Sequence, residues 1–138
     1  MNEIFILDAC ALIALLRKES GTEVVEGVFK DVLKSTATIV MNKFNLLEVY
    51  YDTYRLYDEN TADKLLERIY RLPIKVKSEL SDEVFREAGR LKSSYKISIA
   101  DSIALAETSV SNGTLLTSDH HELDVIEKSE NIKFKWIR

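Results

Sequence analysis

Short apolar runs alternate along this chain with longer stretches that have the spacing of amphipathic helices, and this alternation most constrains the fold. The short runs favour strands because several are rich in β-branched residues. The predicted strands are Glu3–Leu7, Thr36–Met41, Ile74–Lys77, Thr114–Thr117 and Ile132–Ile137. Strands that alternate with helices form right-handed crossovers and a mainly parallel sheet covered on both faces. The pattern therefore predicts an α/β protein.

Helices are predicted in every interval between these strands. The stretch from Ala11 to Ser35 holds one or two helices, with a break near Ser20 and Gly21. Asn42 and Ser81 are expected to cap the helices that follow them, because their side-chain oxygens can accept from free backbone N–H groups. Pro73 ends a further helix, and Asn112 with Gly113 closes another.

The composition indicates one domain spanning residues 1–138, with 46% hydrophobic and 30% charged residues. No apolar run approaches the roughly 20 residues that cross a bilayer, and no secretory signal is visible. Cys10 is the single cysteine, which excludes an internal disulfide and a cysteine-based zinc cluster. We therefore expect a cytoplasmic protein without a membrane partner. The net charge of −4 disfavours a broad basic surface for nucleic acid, although a metal bound among carboxylates can reverse the local sign.

Four acidic residues occupy comparable places in the predicted sheet. Asp8 follows the first strand directly, and Asp119 lies just beyond the fourth strand. Glu48 and Asp101 lie on helices that can lean over the same edge. Ligand sites of open parallel sheets lie beyond the carboxyl ends of the strands, so the four side chains are candidates for one site.

Helix capping is the alternative role for three of these acids. Asp8 is placed to be an N-cap, Ser98 and Asp101 resemble a capping box, and Asp119 with Glu122 has the same spacing. Capping and ligand binding do not exclude each other, because both favour a carboxylate near the positive end of a helix.

Glu48 lies too deep in its helix to be a cap. Apolar residues at helical spacing predict an apolar face around it, formed by Phe44, Leu47 and Tyr51. Asp52, one turn on, would share that face and add repulsion. The alternative is a solvated Glu48, with the core face formed instead by Leu46, Val49 and Tyr50.

Four converging carboxylates need a counter-charge. Two of them about 5 Å apart repel by roughly 3 kcal/mol at an effective dielectric near 20, so protonation or a divalent cation must relieve the group. Oxygen ligands without cysteine suit Mg²⁺ or Mn²⁺, which retain waters that can attack a phosphate. This chemistry predicts metal-assisted hydrolysis of phosphodiesters.

The segments FILDACALIALL, NLLEV, IADSIALA and LLTSD resemble PIN domains in their order and context, and most of all the VapC-type ribonuclease toxins of prokaryotic toxin–antitoxin pairs. The resemblance extends from Ile4 to the final strand. It implies a three-layer α/β/α fold, Mg²⁺ or Mn²⁺ as cofactor, RNA as substrate, a homodimer, and inhibition by a small antitoxin protein.

Carried over to this chain, the resemblance implies an acidic metal pocket formed by Asp8, Glu48, Asp101 and Asp119. It also implies that the hydroxyl of Thr117 orients a ligand or a metal-bound water. Two positions depart from the family pattern. Cys10 replaces a small polar residue such as serine, and Ser118 replaces a basic residue that would help to bind phosphate.

Other conspicuous residues have more ordinary interpretations. His120 and His121 are expected to be solvated at a helix start, and Cys10 to be a small buried residue. Four of the six tyrosines lie in EVYYDTYRLY. This segment predicts a packed helix pair or, alternatively, a surface for a dimer or an antitoxin.

Two other functions fit the fold class. Asp8 could be the nucleophile of a phosphatase or a phosphoryl-accepting domain, but Cys10 stands where a dehalogenase-like phosphatase needs a second aspartate. A receiver domain would need a pair of acids after the first strand, where FILDA has one. The acidic pocket could also serve a binding module without catalysis. The leading hypothesis is a metal-dependent endoribonuclease that acts as a toxin.

Overall fold

The computed structural model describes residues 2–138. Its strands are β1 (Glu3–Leu7), β2 (Ala37–Asn42), β3 (Lys75–Lys77), β4 (Thr114–Thr117) and β5 (Lys133–Trp136). Its helices within this range are α1 (Ala9–Arg17), α2 (Thr22–Leu33), α3 (Lys43–Leu56), α4 (Glu59–Tyr70), α5 (Asp82–Ser94), α6 (Ile99–Ser111) and α7 (His120–Ser129). The predicted α/β class is confirmed.

The strands form one five-stranded sheet in the order β3-β2-β1-β4-β5, and every neighbouring pair is parallel. The chain adds strands on one side of β1 as far as β3 and then crosses to the other side for β4 and β5. The order therefore reverses between β1 and β4. Connections on the two sides of this point leave in opposite directions, so a crevice opens at the carboxyl ends of these two strands.

Two apolar cores cover the two faces of the sheet, which confirms the three-layer arrangement. Successive residues of β1 point to opposite faces, because side chains alternate along a strand. Phe5 and Leu7 pack with α1 to α4, whereas Ile6 packs with α5 to α7. The same alternation holds in β4, where Leu116 joins the first core and Leu115 the second. Both central strands are therefore apolar on both faces, as expected of a buried parallel sheet.

The predicted caps are confirmed. Asn42 and Ser81 accept from backbone N–H groups in the first turns of α3 and α5. Asn112 ends α6 in the left-handed region with φ of 53°. The expected break between the first two helices is also present, because Lys18 ends α1 with φ of 54° and Gly21 precedes α2 with φ of 96°. Strand ends differ from the prediction by at most one residue, as they do for β2 and β5.

No helix within residues 2–138 is both long and apolar enough to cross a bilayer.

Gly21 and Gly27 form a matched test of the loop between α1 and α2. A Cβ at Gly21 would lie 2.5 Å from the carbonyl oxygen of Ile137, and the φ of 96° is strained for any other residue. Gly27, in the middle of α2, has no atom within 4 Å of such a Cβ. We expect Gly21→Ala to lower the free energy of unfolding by at least about 2 kcal/mol and Gly27→Ala to raise it by roughly 0.5–1 kcal/mol. Urea denaturation measures both, and equal stability of the two variants would contradict the described loop.

Candidate active site

Asp8 and Thr117 are neighbours at the carboxyl ends of the two central strands. Leu7 pairs with Leu116 in the β1–β4 ladder, so the next residue of each strand lies at the crevice between them. The Asp8 side chain is only 3% exposed, and its Oδ1 accepts from the backbone N–H of Ala11 at 2.9 Å. Asp8 is therefore the N-cap of α1, as the alternative interpretation proposed, and still lies at the crevice.

Asp119 is tied to the same place through Thr117. Its backbone N–H donates to the Thr117 hydroxyl oxygen at 3.1 Å, and the Thr117 side chain is completely buried. The Asp119 Oδ1 accepts from the backbone N–H of Glu122 at 3.2 Å, so Asp119 is also the N-cap of α7. Each capping carboxylate uses only part of its hydrogen-bond capacity in its cap, because two oxygens offer about four acceptor positions, and the remaining positions are available for a ligand.

Glu48 and Asp101 come from helices on opposite faces of the sheet that meet at this edge. Helices α3 and α6 contact each other, and the Asn45 amide donates to the carbonyl oxygen of Ala100 at 3.0 Å. Asn45 lies one turn before Glu48 on α3, and Ala100 directly precedes Asp101 on α6. This hydrogen bond therefore fixes the two acidic residues relative to each other.

Burial and the neighbouring acidic charges both raise pKa values at this edge of the sheet. Desolvation raises the pKa of Asp8 from 3.8 to about 7, partly offset by hydrogen bonds from Thr117 and Ala11, and the charges of Asp101 and Asp119 raise it further. Desolvation raises the pKa of Asp101 to about 6, and Asp119 and Glu48 add to this rise. Desolvation and Asp119 also raise the pKa of Glu48. Asp119 thus lies within electrostatic range of each of the other three acids.

The thiol of Cys10 is exposed to the same negative electrostatic potential. Desolvation raises the pKa of its thiol to about 12, and all four carboxylates contribute to the rise. The prediction that Cys10 is a small buried residue is wrong, because the residue is exposed beside the acids. Its raised pKa makes it a poor nucleophile, since the thiolate is the reactive form.

The predicted apolar face around Glu48 is wrong. The core face of α3 is formed by the competing set, with Leu46 and Val49 nearly completely buried, whereas Phe44 and Leu47 are 46% and 52% exposed. Glu48 is half-buried at the border of that core face.

Asp52 also adds no repulsion to the site. It forms salt bridges with Arg17 at 3.0 Å and Arg55 at 2.9 Å. These two guanidinium groups neutralise the one further acid that the helical spacing had placed beside Glu48.

A buried polar network beneath the site has no signal in the local sequence pattern. Glu107, on α6, is 2% exposed and accepts from the Asn42 amide at 2.8 Å and from the Lys77 ammonium at 2.9 Å. Asn42 at the same time caps α3 with its amide oxygen. The network thus joins β3, the start of α3 and α6, and holds together the two helices that carry Glu48 and Asp101. Only coordinates could find it, because its members are 30 and 65 residues apart.

The acids suit a hydrated divalent cation better than a fully dehydrated one. Within residues 2–138, no group of three or more His, Cys, Asp or Glu side chains forms a ready-made metal site. None of the four acids takes part in a salt bridge in this part of the chain. Mg²⁺ binds typically through one or two carboxylates and retains several waters, so acidic oxygen donors without a competing salt bridge fit it.

One protein family matches most of the chain. Residues 5–128 match the PIN domain. No curated protein matches the sequence.

Several solved structures share the fold. VapBC2 from Rickettsia felis, bound to a DNA fragment from its promoter, has a TM-score of 0.71 at 18% identity, with 96% of this chain and 98% of that chain covered. VapBC-1 from nontypeable Haemophilus influenzae has a TM-score of 0.71 at 13% identity, with 97% and 98% covered. VapC20 from Mycobacterium tuberculosis, a Sarcin-Ricin loop cleaving toxin, has a TM-score of 0.56 at 14% identity, with 80% and 86% covered. At these identities the likeness is one of fold.

The raised pKa of Asp8 predicts how stability depends on pH when no metal is bound. Between pH 4 and about pH 7 the folded protein keeps a proton on Asp8 that the unfolded chain has lost, so the free energy of unfolding falls as the pH rises. Asp8→Asn retains the N-cap and removes this penalty. We expect the variant to be more stable than the parent by up to a few kcal/mol at pH 8 and equally stable near pH 3.5.

Urea denaturation in the presence of a chelator at both pH values measures this difference. Glu67→Gln, on the exposed face of α4, is the control and should follow the parent at both pH values. An Asp8→Asn variant that is less stable than the parent at pH 8 would show that Asp8 is ionised and satisfied in the folded protein.

Proposed function

Because the chain belongs to the PIN domain family, we propose that it is a divalent-metal-dependent endoribonuclease and the toxin of a toxin–antitoxin pair. One observation carries the proposal. Four carboxylates without salt-bridge partners lie around the crevice between β1 and β4, and burial with repulsion between neighbouring acids raises the pKa of three of them. A fold does not leave such a group uncompensated unless a ligand uses it.

The proposed roles follow from how each side chain is held. Asp8 and Asp119, fixed by the caps of α1 and α7, each present their remaining acceptor positions to a cation. Thr117 keeps the two at a constant separation, since it receives the Asp119 N–H and lowers the pKa of Asp8 through its side chain. Glu48 and Asp101 approach from the helices above and complete the negative pocket.

Mg²⁺ or Mn²⁺ bound there would offset the carboxylate charge, polarise the phosphodiester and lower the pKa of a coordinated water. Asp101 and Glu48 are suited to accept the proton of the attacking water, because their pKa values are raised towards neutrality and efficient general bases titrate near the working pH. The caps of α1 and α7 hold the buried Asp8 and the half-buried Asp119 in position while this proton moves.

RNA as the substrate is supported by the related folds. The VapC20 relative is a Sarcin-Ricin loop cleaving toxin. The net charge of −4 provides no general attraction for nucleic acid, so the substrate must be held by the site itself and its cation. An RNA substrate also places the proposed activity in the cytoplasm.

A protein partner is supported by the exposed face of α3. Two of its tyrosines are exposed, Tyr51 at 47% and Tyr54 at 46%, and so is the C-cap residue Tyr57, at 66%. Exposed aromatic residues grouped on one helix are typical of interfaces. We propose that this face binds a second copy of the chain or the antitoxin, in keeping with the similar fold in a toxin–antitoxin complex from Klebsiella pneumoniae.

The central test of the activity is Asp8→Asn. We expect the variant to lose metal-dependent RNA cleavage by at least about a hundredfold, because the lost ligand removes several kcal/mol of transition-state stabilisation. Cleavage of total RNA with Mg²⁺ or Mn²⁺ is followed by gel and by sequencing of the new RNA ends. Glu67→Gln should cleave like the parent, and circular dichroism should show the same fold for both variants. Undiminished cleavage by Asp8→Asn would remove Asp8 from the mechanism.

Metal binding is tested independently of cleavage. A cation that binds only the folded protein raises its stability, by about 2.7 kcal/mol at a concentration of 100 Kd. We therefore expect Mn²⁺ to raise the Tm of the parent and of Glu67→Gln by several degrees at pH 7.5, and to leave the Tm of Asp8→Asn nearly unchanged. A parent Tm that does not respond to millimolar Mn²⁺ or Mg²⁺ would contradict the metal site and favour a binding module.

A further inference from the structure

Three aromatic rings form a column beside the acidic crevice. Phe134 and Trp136, on the edge strand β5, stack with their ring centroids 5.1 Å apart and their planes 10° from parallel. The imidazole of His120 continues the column on Trp136, with a centroid distance of 3.8 Å and an angle of 16°. Both His120 and His121 are exposed at the start of α7, as expected, but the stacking of His120 on Trp136 was not predicted.

The His120 ring is held rigidly in this position. Its Nδ1 is 2.7 Å from the carboxylate of Asp124, and its Nε2 is 2.8 Å from the carbonyl oxygen of Arg138. Trp136, against which it stacks, donates from its indole N–H to Glu127 at 3.0 Å. Three hydrogen bonds thus fix a pair of rings at the protein surface, where side chains are ordinarily mobile.

One face of the imidazole remains open. The His120 side chain is 46% exposed, although Trp136 covers one face and both nitrogens have partners. The exposed surface must then belong to the opposite face and to the carbon edge of the ring. The column ends in a flat, preorganised aromatic surface that faces solvent.

This surface adjoins the acids. His120 follows Asp119 directly in the chain, and consecutive Cα atoms are about 3.8 Å apart. The two side chains leave the helix start in different directions, so a ligand on His120 would not displace one on Asp119. A nucleotide whose phosphate reaches the carboxylates can therefore place a neighbouring base on the imidazole.

We propose that the free face of His120 is a stacking platform for an unpaired base of single-stranded RNA next to the phosphodiester at the acids. This inference rests on the proposed ribonuclease activity and identifies how its substrate is held. Stacking on an aromatic face tolerates any base and contributes substantial affinity for single strands. It also suits a chain of net charge −4, which gains little from contacts with the phosphate backbone.

The two adjacent histidines supply a matched test. The protein keeps Asp8, and Ca²⁺, which also binds oxygen ligands, replaces Mn²⁺ so that the site holds a cation. The binding of a fluorescein-labelled 20-nucleotide single-stranded RNA of randomised sequence is measured by anisotropy, and a gel verifies that the RNA stays intact. We expect His120→Ala to weaken binding on the order of tenfold, because one stacked base is lost. His121→Ala should bind like the parent, and His120→Phe should recover most of the affinity because it restores an aromatic face.

Each other result overturns the platform. Binding by His120→Ala within twofold of the parent shows that the ring column only covers the edge of the sheet. If His120→Phe and His120→Ala lose the same affinity for the RNA, a polar contact and not stacking holds the RNA. If the parent does not bind the RNA at all, the platform is contradicted as well. A Tm within a few degrees of the parent checks that each variant is folded. If His120→Ala is not folded, the comparison of His120→Phe with the parent decides, and a loss as large as tenfold overturns the proposal.

The platform and the proposed function fail in different ways. If the protein with Asp8 intact cleaves no RNA with Mg²⁺ or Mn²⁺, the ribonuclease proposal falls. If the protein cleaves RNA and His120→Ala leaves the KM unchanged, only the platform is contradicted. The loss of a stacking contact should weaken substrate binding and raise the KM.

Discussion

The position of β1 between β2 and β4 is the constraint on which the rest of the structure depends. Both neighbours are parallel to β1, and the direction in which the chain adds strands reverses there. The residue after β1 therefore faces a crevice that no helix connection closes. Asp8 occupies that residue, and Thr117 is its neighbour at the end of β4. Helices α3 and α6, from opposite faces of the sheet, meet over the same edge and bring Glu48 and Asp101 to it.

Three other partly or fully buried acids of the chain have partners that these four lack. Glu107 has a lysine and an amide as partners, and Asp52 has two arginines. Glu130 accepts from Arg90 and from the Tyr95 hydroxyl, which hold the pKa of this carboxyl below its ordinary range. The acids at the crevice lack such cations, and the pKa of Asp8 rises to about 7. A buried charge without a partner is costly, so the contrast within one molecule is the physical argument that a ligand belongs there.

Local patterns in the sequence predict most of the fold because caps, turns and apolar runs act over a few residues. Asn42, Ser81 and Asn112 end or begin helices as their side chains and backbone preferences require. The buried side of α3 could not be predicted in this way. Leu46 and Val49 have the same helical spacing as Phe44 and Leu47, so either pair could form the core face. Only the packing of α3 against its neighbours determines which pair is buried. The Asn42–Glu107–Lys77 network and the stack of His120 on Trp136 join distant segments, so no local pattern predicts them. The convergence of the acids was predictable because parallel strands end at one edge, whereas their desolvation needed coordinates.

The most direct test of the account is to locate a metal by diffraction. Crystals of the protein grown or soaked with Mn²⁺ should show an anomalous peak at the crevice between β1 and β4, with carboxylate oxygens of Asp8 or Asp119 among its ligands and waters completing the shell. A peak elsewhere, or a crevice without Mn²⁺ at millimolar concentration in which Asp8 remains protonated at neutral pH, would contradict the claim that these carboxylates are gathered to hold a dication.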